Sequence, residues 1–566
     1  MSTTTIEKPF IIPSLDGGMQ QKVHKLLNQQ NEQYLSKNTD HQHKLGAITK
    51  ALGYDRKGNA INSGAAILGA GTLNTSGGGE NLIAFSGTDA YKYNSGTEAW
   101  DAQSRTFTAS QKFEVEQFLN MMFEVNGITD VPQSYNGSSW STSTNVTDMP
   151  KARYIRELNS RLYLFNINIP IGGSFPSRVW YSNLSKNNTL SWGLETGSDL
   201  GQTATSAVVT SSGSLFKTRG IKAGDTFIIT DENNAGEYYV LTVDSETQIT
   251  LTEALSATET NSSFWVGGNF FDVARDNSDI GRGLSKNADR LLCFKRFSLY
   301  KFQKTNNAAT DTLLQVKGVP GTTSHRSIVN WKKYTFYLAD TGMWRYDGSD
   351  SLLISTPIQE VIDGITDANK LISSGWVVND RIIKMFVGDV SNTDTGLTIN
   401  KCVICYDAVS NAWWVEELAD TIVAAVQMTI SDAPKNFIFG TGECFETEVG
   451  NSWDGDDINM EIETTYYFPI SPEISLNFTR FVVYGEGISG INLGVKLAYY
   501  DNGRVDQEFR RVDINKDRVT EYRKEFIMDL DSPKAPGFKL KITESSSGTR
   551  PMIERIVAYY SAEEQK

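Results

Sequence analysis

The sequence predicts an all-β protein: a β-propeller of six or seven blades, an inserted small β-barrel and a C-terminal β-sandwich. Three observations predict it. The first is a block that returns about every 40 to 50 residues, an apolar strand, a turn, then an aromatic strand, which is the spacing of propeller blades. Clear copies are Leu82-Ile83-Ala84-Phe85 leading to Tyr91, Tyr93 and Trp100, Arg161-Leu162-Tyr163-Leu164-Phe165 leading to Trp180 and Trp192, and Tyr334-Thr335-Phe336-Tyr337-Leu338 leading to Trp344 and Tyr346. The second is composition: 47 Gly against 14 Pro with 11% aromatics suits many hairpins better than long helices. The third is strict alternation of apolar residues in the last quarter of the chain, the period of strands with one face buried.

Taken in order, residues 1–75 hold no convincing blade and read as an N-terminal arm and linker. Within them Gly17 to Asn38, with Val23, Leu26, Leu27, Tyr34 and Leu35 scattered among polar residues, suits a short helix or an arm that orders against a partner. Residues 76–200 are the first run of blades. There Phe113, Val115, Leu119, Met121, Phe123 and Val125 fall on every second position, interrupted only by Gln117, and Asn126-Gly127 closes the run as a hairpin turn. Residues 201–268 change to Ser- and Thr-rich short strands (Thr226 to Thr230, Tyr238 to Val243, Gln248 to Thr252), which fit a small barrel whose closure removes its edges.

Residues 269–455 resume the blades. Arg290 to Lys295 runs to Ser298-Leu299-Tyr300, Arg381 to Val387 pairs with Cys402 to Tyr406 and Trp413-Trp414, and Asn436 to Gly440 runs to Phe445. Residues 456–566 alternate at Ile458, Met460, Ile462, Thr464, Tyr466 and Phe468, then at Leu493-Val495-Leu497-Tyr499, Phe538-Leu540-Ile542 and Ile556 to Tyr559, and are assigned to the sandwich.

The net charge of −14 argues against gripping nucleic acid through phosphates, which requires clustered Lys and Arg. The start, MSTTTIEKPFIIP, has no basic and apolar signal regions, and no run approaches a membrane span, so a soluble protein made in the cytoplasm is expected. Cys402 and Cys405 sit in a strand-like segment where residues three apart point to opposite faces, so packing is expected rather than redox or metal chemistry.

Other charged and His-bearing segments carry weaker signals. Glu416-Glu417 and Asp456-Asp457 are adjacent on extended chain, point apart and do not make an acid/base pair by themselves. Asp454-Gly455-Asp456-Asp457 lacks the helices of a calcium loop, with Thr465 where its last carboxylate would stand. Of four histidines, His24, His41, His43 and His325, only His41 and His43 are close in sequence, and no third ligand lies nearby. Asp340-Thr341-Gly342-Met343-Trp344 is a loose match to the Asp-box turn of sialidase-type propellers, lacking the leading Ser, and a hairpin turn accounts for it. No Walker loop, dinucleotide fingerprint or nucleophile elbow occurs. The expectation is therefore no catalytic, cofactor-binding or metal-binding residue and no cofactor.

Arg161 to Phe165, then Pro176-Ser177-Arg178-Val179-Trp180-Tyr181-Ser182, Arg290 to Tyr300, Ser324-His325-Arg326-Ser327-Ile328-Val329 and Tyr337 to Gly348 together resemble the tail hub, or nozzle, proteins of short-tailed bacteriophages, β-propellers of the DNA-stabilisation type. The opening Phe10-Ile11-Ile12-Pro13-Ser14-Leu15-Asp16-Gly17-Gly18 is similar to the start of many such virion proteins. The resemblance covers most of the chain from about residue 10. It implies a structural, non-enzymatic virion protein: a homo-oligomer, usually a hexameric ring, below the portal and adaptor proteins. Such a ring extends the DNA-ejection channel, offers a platform for tail fibres or spikes, and lets viral DNA pass without sequence-specific binding. Six copies would carry about −84, and an acidic lumen would repel phosphates. The alternative is a glycan-binding or glycan-hydrolysing propeller acting as a receptor-binding tail protein, with a site assembled from residues distant in sequence.

Overall fold

In the computed structural model the described residues are all but 1–6, 13, 23–28, 43–45, 109, 128, 170–171, 184–188, 231–232, 276–277, 306–310, 502–503, 507–510, 513, 521, 529–533, 547 and 563–566. Among the described residues the chain is all-β, with two short α-helices, Gln359–Asp363 of five residues and Asp367–Lys370 of four, between the fifth and sixth blade positions.

Antiparallel four-stranded sheets follow one another round a ring. Blade 1 is Ile67–Asn74, Glu80–Ser86, Asp89–Asn94 and Ala99–Thr106. Blade 2 begins at Glu114–Phe118, blade 3 at Lys151–Leu158, blade 4 at Gly281–Asn287 and blade 5 at Val329–Trp331. The sixth position is held by Ser374–Val378, Ile382–Asn392, Leu397–Asp407 and Trp413–Glu417, whose sheet runs on beyond the propeller, and blade 7 begins at Ala424–Ile430. Six separate blade sheets and this shared one thus occupy seven positions among the described residues, and the innermost strands of neighbours touch all the way round, from Ala424–Ile430 back to Ile67–Asn74.

The middle strands explain why the blades need one another. Tyr334–Ala339 is buried from Thr335 onward, and alternate residues go to opposite neighbours. Phe336 and Leu338 pack with Ile383, Met385 and Ile404 of the sixth position, while Tyr337 and Ala339 pack with Leu292, Phe294 and Leu299 of blade 4. A run that is apolar at every position is therefore a strand covered on both faces. The same parity splits the cysteine pair, with Cys402 facing the blade-5 side and Cys405 the blade-7 side.

Two local expectations change. The alternating run at 113–125 is two strands rather than one, Glu114–Phe118 and Met121–Val125, joined by a two-residue turn with Leu119 and Asn120 at φ 51° and 63°. Both residues of a type I′ turn require positive φ, and a Leu there gives no turn signal in the sequence. The expected single strand ending at Asn126-Gly127 is corrected accordingly. The barrel is a closed six-stranded one, from Leu194–Gln202 to Glu259–Gly267. It interrupts a blade rather than a loop between blades: blade 3 takes its outermost strand, Phe270–Asp272, from beyond the barrel.

The N-terminal segment lies in three sheets. Lys8–Ile12 pairs with Met552–Ala562 of the sandwich. Gln33–Lys37 lies between Trp413–Glu417 and the sandwich strand Met460–Thr464, making one ten-stranded sheet. Tyr54–Arg56 pairs antiparallel with Cys444–Thr447 and is the fourth strand of blade 7, so the ring is closed by a strand from the other end of the chain. The crossing is tight at Gly53, where a Cβ would lie 1.8 Å from the carbonyl oxygen of Ser452, so only glycine fits. The part of Gly17 to Asn38 described here contains a strand; Val23, His24, Leu26, Leu27, Pro13 and His43 lie outside the described residues.

The sandwich is two sheets, one built on Leu476–Glu486 and Met552–Ala562, the other on Asn492–Asp501 and Gly537–Glu544. Its core joins Phe478, Phe481 and Val483 to Val495, Phe538 and Leu540, with Ile12 from the first strand. Lys50 and Glu544 form an ion pair inside it, 2.8 Å apart with both side chains at most 1% exposed.

Candidate functional site: the axial funnel

The innermost strands converge on the propeller axis, and the residues that begin them line a cavity of about 360 Å³. Its floor is one arginine. Arg326 sits in the short 3₁₀ turn His325–Ser327 that precedes blade 5. Its guanidinium donates from Nε to Glu114 Oε1 (3.1 Å), from Nη1 to the carbonyl of Val423 (2.8 Å), and from Nη2 to those of Leu68 (2.7 Å) and Phe113 (2.9 Å). One planar fork therefore ties blade 5 to blades 1, 2 and 7 across the axis, a geometry lysine does not reproduce.

His325 completes this hub. Its Nδ1 accepts from the backbone N–H of Leu284 at 3.3 Å, which leaves Nε2 facing Glu114 Oε2 at 3.5 Å, and its ring lies 5.0 Å from that of Tyr154. Burial, with Arg156 and Arg326 nearby and Glu114 opposing them, lowers its pKa to about 4, so the imidazole is neutral at pH 7. Burial and Glu114 raise the Tyr154 hydroxyl to about 12.

Around the mouth stand Lys112, Arg153 and Arg282, beginning blades 2, 3 and 4. Glu114 is the one carboxylate of the lining. Loss of water around Lys112 and the Arg326 guanidinium lower its pKa below the ordinary lysine value. The arrangement is an electropositive pit in an acidic protein, able to hold an anion but offering no second carboxylate for a two-carboxylate glycosidase.

No protein-family description matches the chain. No curated protein matches it either. Among solved structures it is similar to a phage phi92 endosialidase, with 8% identity over 91% of this chain and 70% of that chain and a TM-score of 0.20. A likeness that low carries no argument about what this chain does.

Elsewhere the structure gives the residues singled out in the sequence structural partners. Glu416 bonds Lys384 (3.0 Å) in the core while Glu417 bonds Lys37 (2.9 Å) on the other face. Asp454 pairs with Arg56 (3.0 Å), and Asp456 and Asp457 are exposed on a short hairpin strand. His41 stacks on Trp414 at 5.0 Å, and burial lowers its pKa to about 4. Asp340 clamps Arg296 of the preceding blade through two 3.0 Å hydrogen bonds, and Trp344 donates to Thr341 in the same turn. Burial raises the Cys402 and Cys405 thiols well above the ordinary range, which makes them poor nucleophiles. Among the described residues no group of three or more His, Cys, Asp and Glu is arranged to hold a metal, and no helix is long and apolar enough to cross a membrane.

Neither Glu114 nor Arg326 belongs to a chemical motif in the sequence. A legible signal existed: charged residues at the first positions of inner strands, which the ring brings to one axis.

Proposed function

We propose that this chain is a structural virion protein of a tailed bacteriophage, one subunit of the nozzle or hub ring that extends the DNA-ejection channel below portal and adaptor and carries fibres or spikes. The observation that supports the reading most is the fusion of three units into one body. A single sheet runs from the sixth blade position through Gln33–Lys37 into the sandwich, and the barrel packs on blade 3 through Trp265 against Trp180. A wall that must withstand genome passage needs such rigidity. Arg326 spans the propeller axis, so in this reading the channel runs between subunits and not through each propeller. The charge of −14 per copy favours a lumen that does not retain DNA. The ring is hexameric, assembled in the host cytoplasm and located in the tail, with no chemistry of its own.

The test is the mass of the purified protein, alone and mixed with the adaptor ring of its virus, by light scattering with negative-stain imaging. A hexameric ring with an open channel is expected. A monomer or trimer that ignores the adaptor and binds host surface glycan would overturn the reading in favour of a receptor-binding propeller.

A further inference from the structure

The mouth of the axial funnel carries more positive charge than the fold uses. Arg326 spends its donors on Glu114 and three backbone carbonyls, and Glu114 is thereby taken. The side chains of Lys112, Arg153 and Arg282 line the same cavity with no side-chain hydrogen bond or close ion pair to any described residue, Lys112 feeling Glu114 only at a distance, and the Arg282 Nε is buried without an acceptor. A buried donor left unmade costs about 1–3 kcal/mol, and like charges crowded in one pit repel. Both costs fall if an anion occupies it. Ser110 and Gln111 add neutral donors on the same wall.

We propose that the funnel mouth is a binding site for a small multivalent oxyanion, a polyphosphate or a polycarboxylate, held between Lys112, Arg153 and Arg282. Three cations from the starts of three successive blades match an anion of charge two to four better than a single carboxylate. The cavity of about 360 Å³ admits such a molecule and excludes a folded chain or a duplex. The site is independent of the nozzle reading, since it lies within one subunit.

Isothermal titration of the full chain at low ionic strength with inorganic pyrophosphate, and separately with citrate, tests it. One site per chain is expected for at least one of the two, with affinity at least tenfold weaker in Arg153→Ala and in Arg282→Gln and unchanged in Arg275→Ala, whose side chain is 66% exposed outside the funnel. Arg153 is exposed, so its variant keeps the fold, which circular dichroism verifies. Pyrophosphate alone binding assigns a phosphate ligand, citrate alone a carboxylate. Absence of stoichiometric binding by either overturns the proposal, as does equal weakening in Arg275→Ala, which would mark diffuse charge attraction.

Discussion

Glu124 is a carboxyl in the core of blade 2, 1% exposed, with Arg105 Nη2 3.6 Å from it and Asp130 nearby. Burial, opposed by Arg105 and aided by Asp130, raises its pKa from the ordinary 4.5 to about 8. A folded pKa above the unfolded one means that the native state holds the proton more tightly. Its contribution is therefore fully present below about pH 4.5 and is lost as pH rises to about 8. Denaturant midpoints measured across that window should fall with rising pH. In Glu124→Gln the decline should flatten, leaving the variant more stable than the parent at pH 9 by roughly 1–3 kcal/mol. An unchanged slope would place the titration elsewhere. The same scale shows what sequence can and cannot carry. That Cys402 and Cys405 point apart follows from strand parity alone, whereas Arg326 becomes a hub only because the ring brings Leu68, Phe113 and Val423, 97 to 258 positions away from it, around one guanidinium.

At the scale of elements, Arg178 braces the outer strands of blade 3 where Trp265 of the barrel meets them. It makes paired hydrogen bonds of 2.8 and 2.9 Å to Asp272, and its guanidinium lies 4.3 Å from the ring of Phe175, 3.9 Å from Phe270 and 5.9 Å from Trp265 of the barrel. Trp265 in turn packs on Trp180 inside blade 3. Arg178→Ala should cost about 2–4 kcal/mol through the lost charged hydrogen bonds and stacking. Limited proteolysis should then release a fragment running from about Leu194 to Gly267 faster than in the parent; an unaltered digestion pattern would show that Trp265 holds the barrel by itself. Blade strands were legible because an uninterrupted apolar run with aromatic ends has one explanation in a ring. The Leu119-Asn120 turn was not, because the first of its two positive φ values falls on Leu119, which has no turn preference, and apolar alternation continues across it. The outermost strand of blade 3 was hidden for another reason: three residues, Phe270–Asp272, are too few to show a period.

For the whole molecule, the N-terminal segment matters most and was least legible. Lys8–Ile12, Gln33–Lys37 and Tyr54–Arg56, each five residues or fewer, have partners hundreds of positions away, so no local pattern marks them as parts of sheets. One of its residues is tied into the sandwich core. Lys50 Nζ bonds Glu544 at 2.8 Å and the carbonyl of Ser546 at 2.5 Å. Removing one partner of a buried pair leaves a bare charge, so Lys50→Met should destabilise by about 3–5 kcal/mol, and Lys50→Met with Glu544→Leu should recover most of it. Denaturation of both variants decides the point, and a double variant no better than the single one would show that Ser546 and the surrounding packing carry the cost.

The strand that closes blade 7 also sets a clock on biosynthesis. Arg56 leaves the ribosome about 390 residues before its partner Phe445, an interval of roughly 20–80 s at ordinary elongation rates. Until then the first blade has no neighbour on one side, and the nascent chain shows Tyr54 and the apolar face of Ile67–Asn74 to whatever it meets. An identical chain on a neighbouring ribosome offers the same missing strand. Polysomes translating this message are thus where exchanged, interlocked dimers would arise, and slow dilute expression with chaperone cover is the condition that keeps each ring its own.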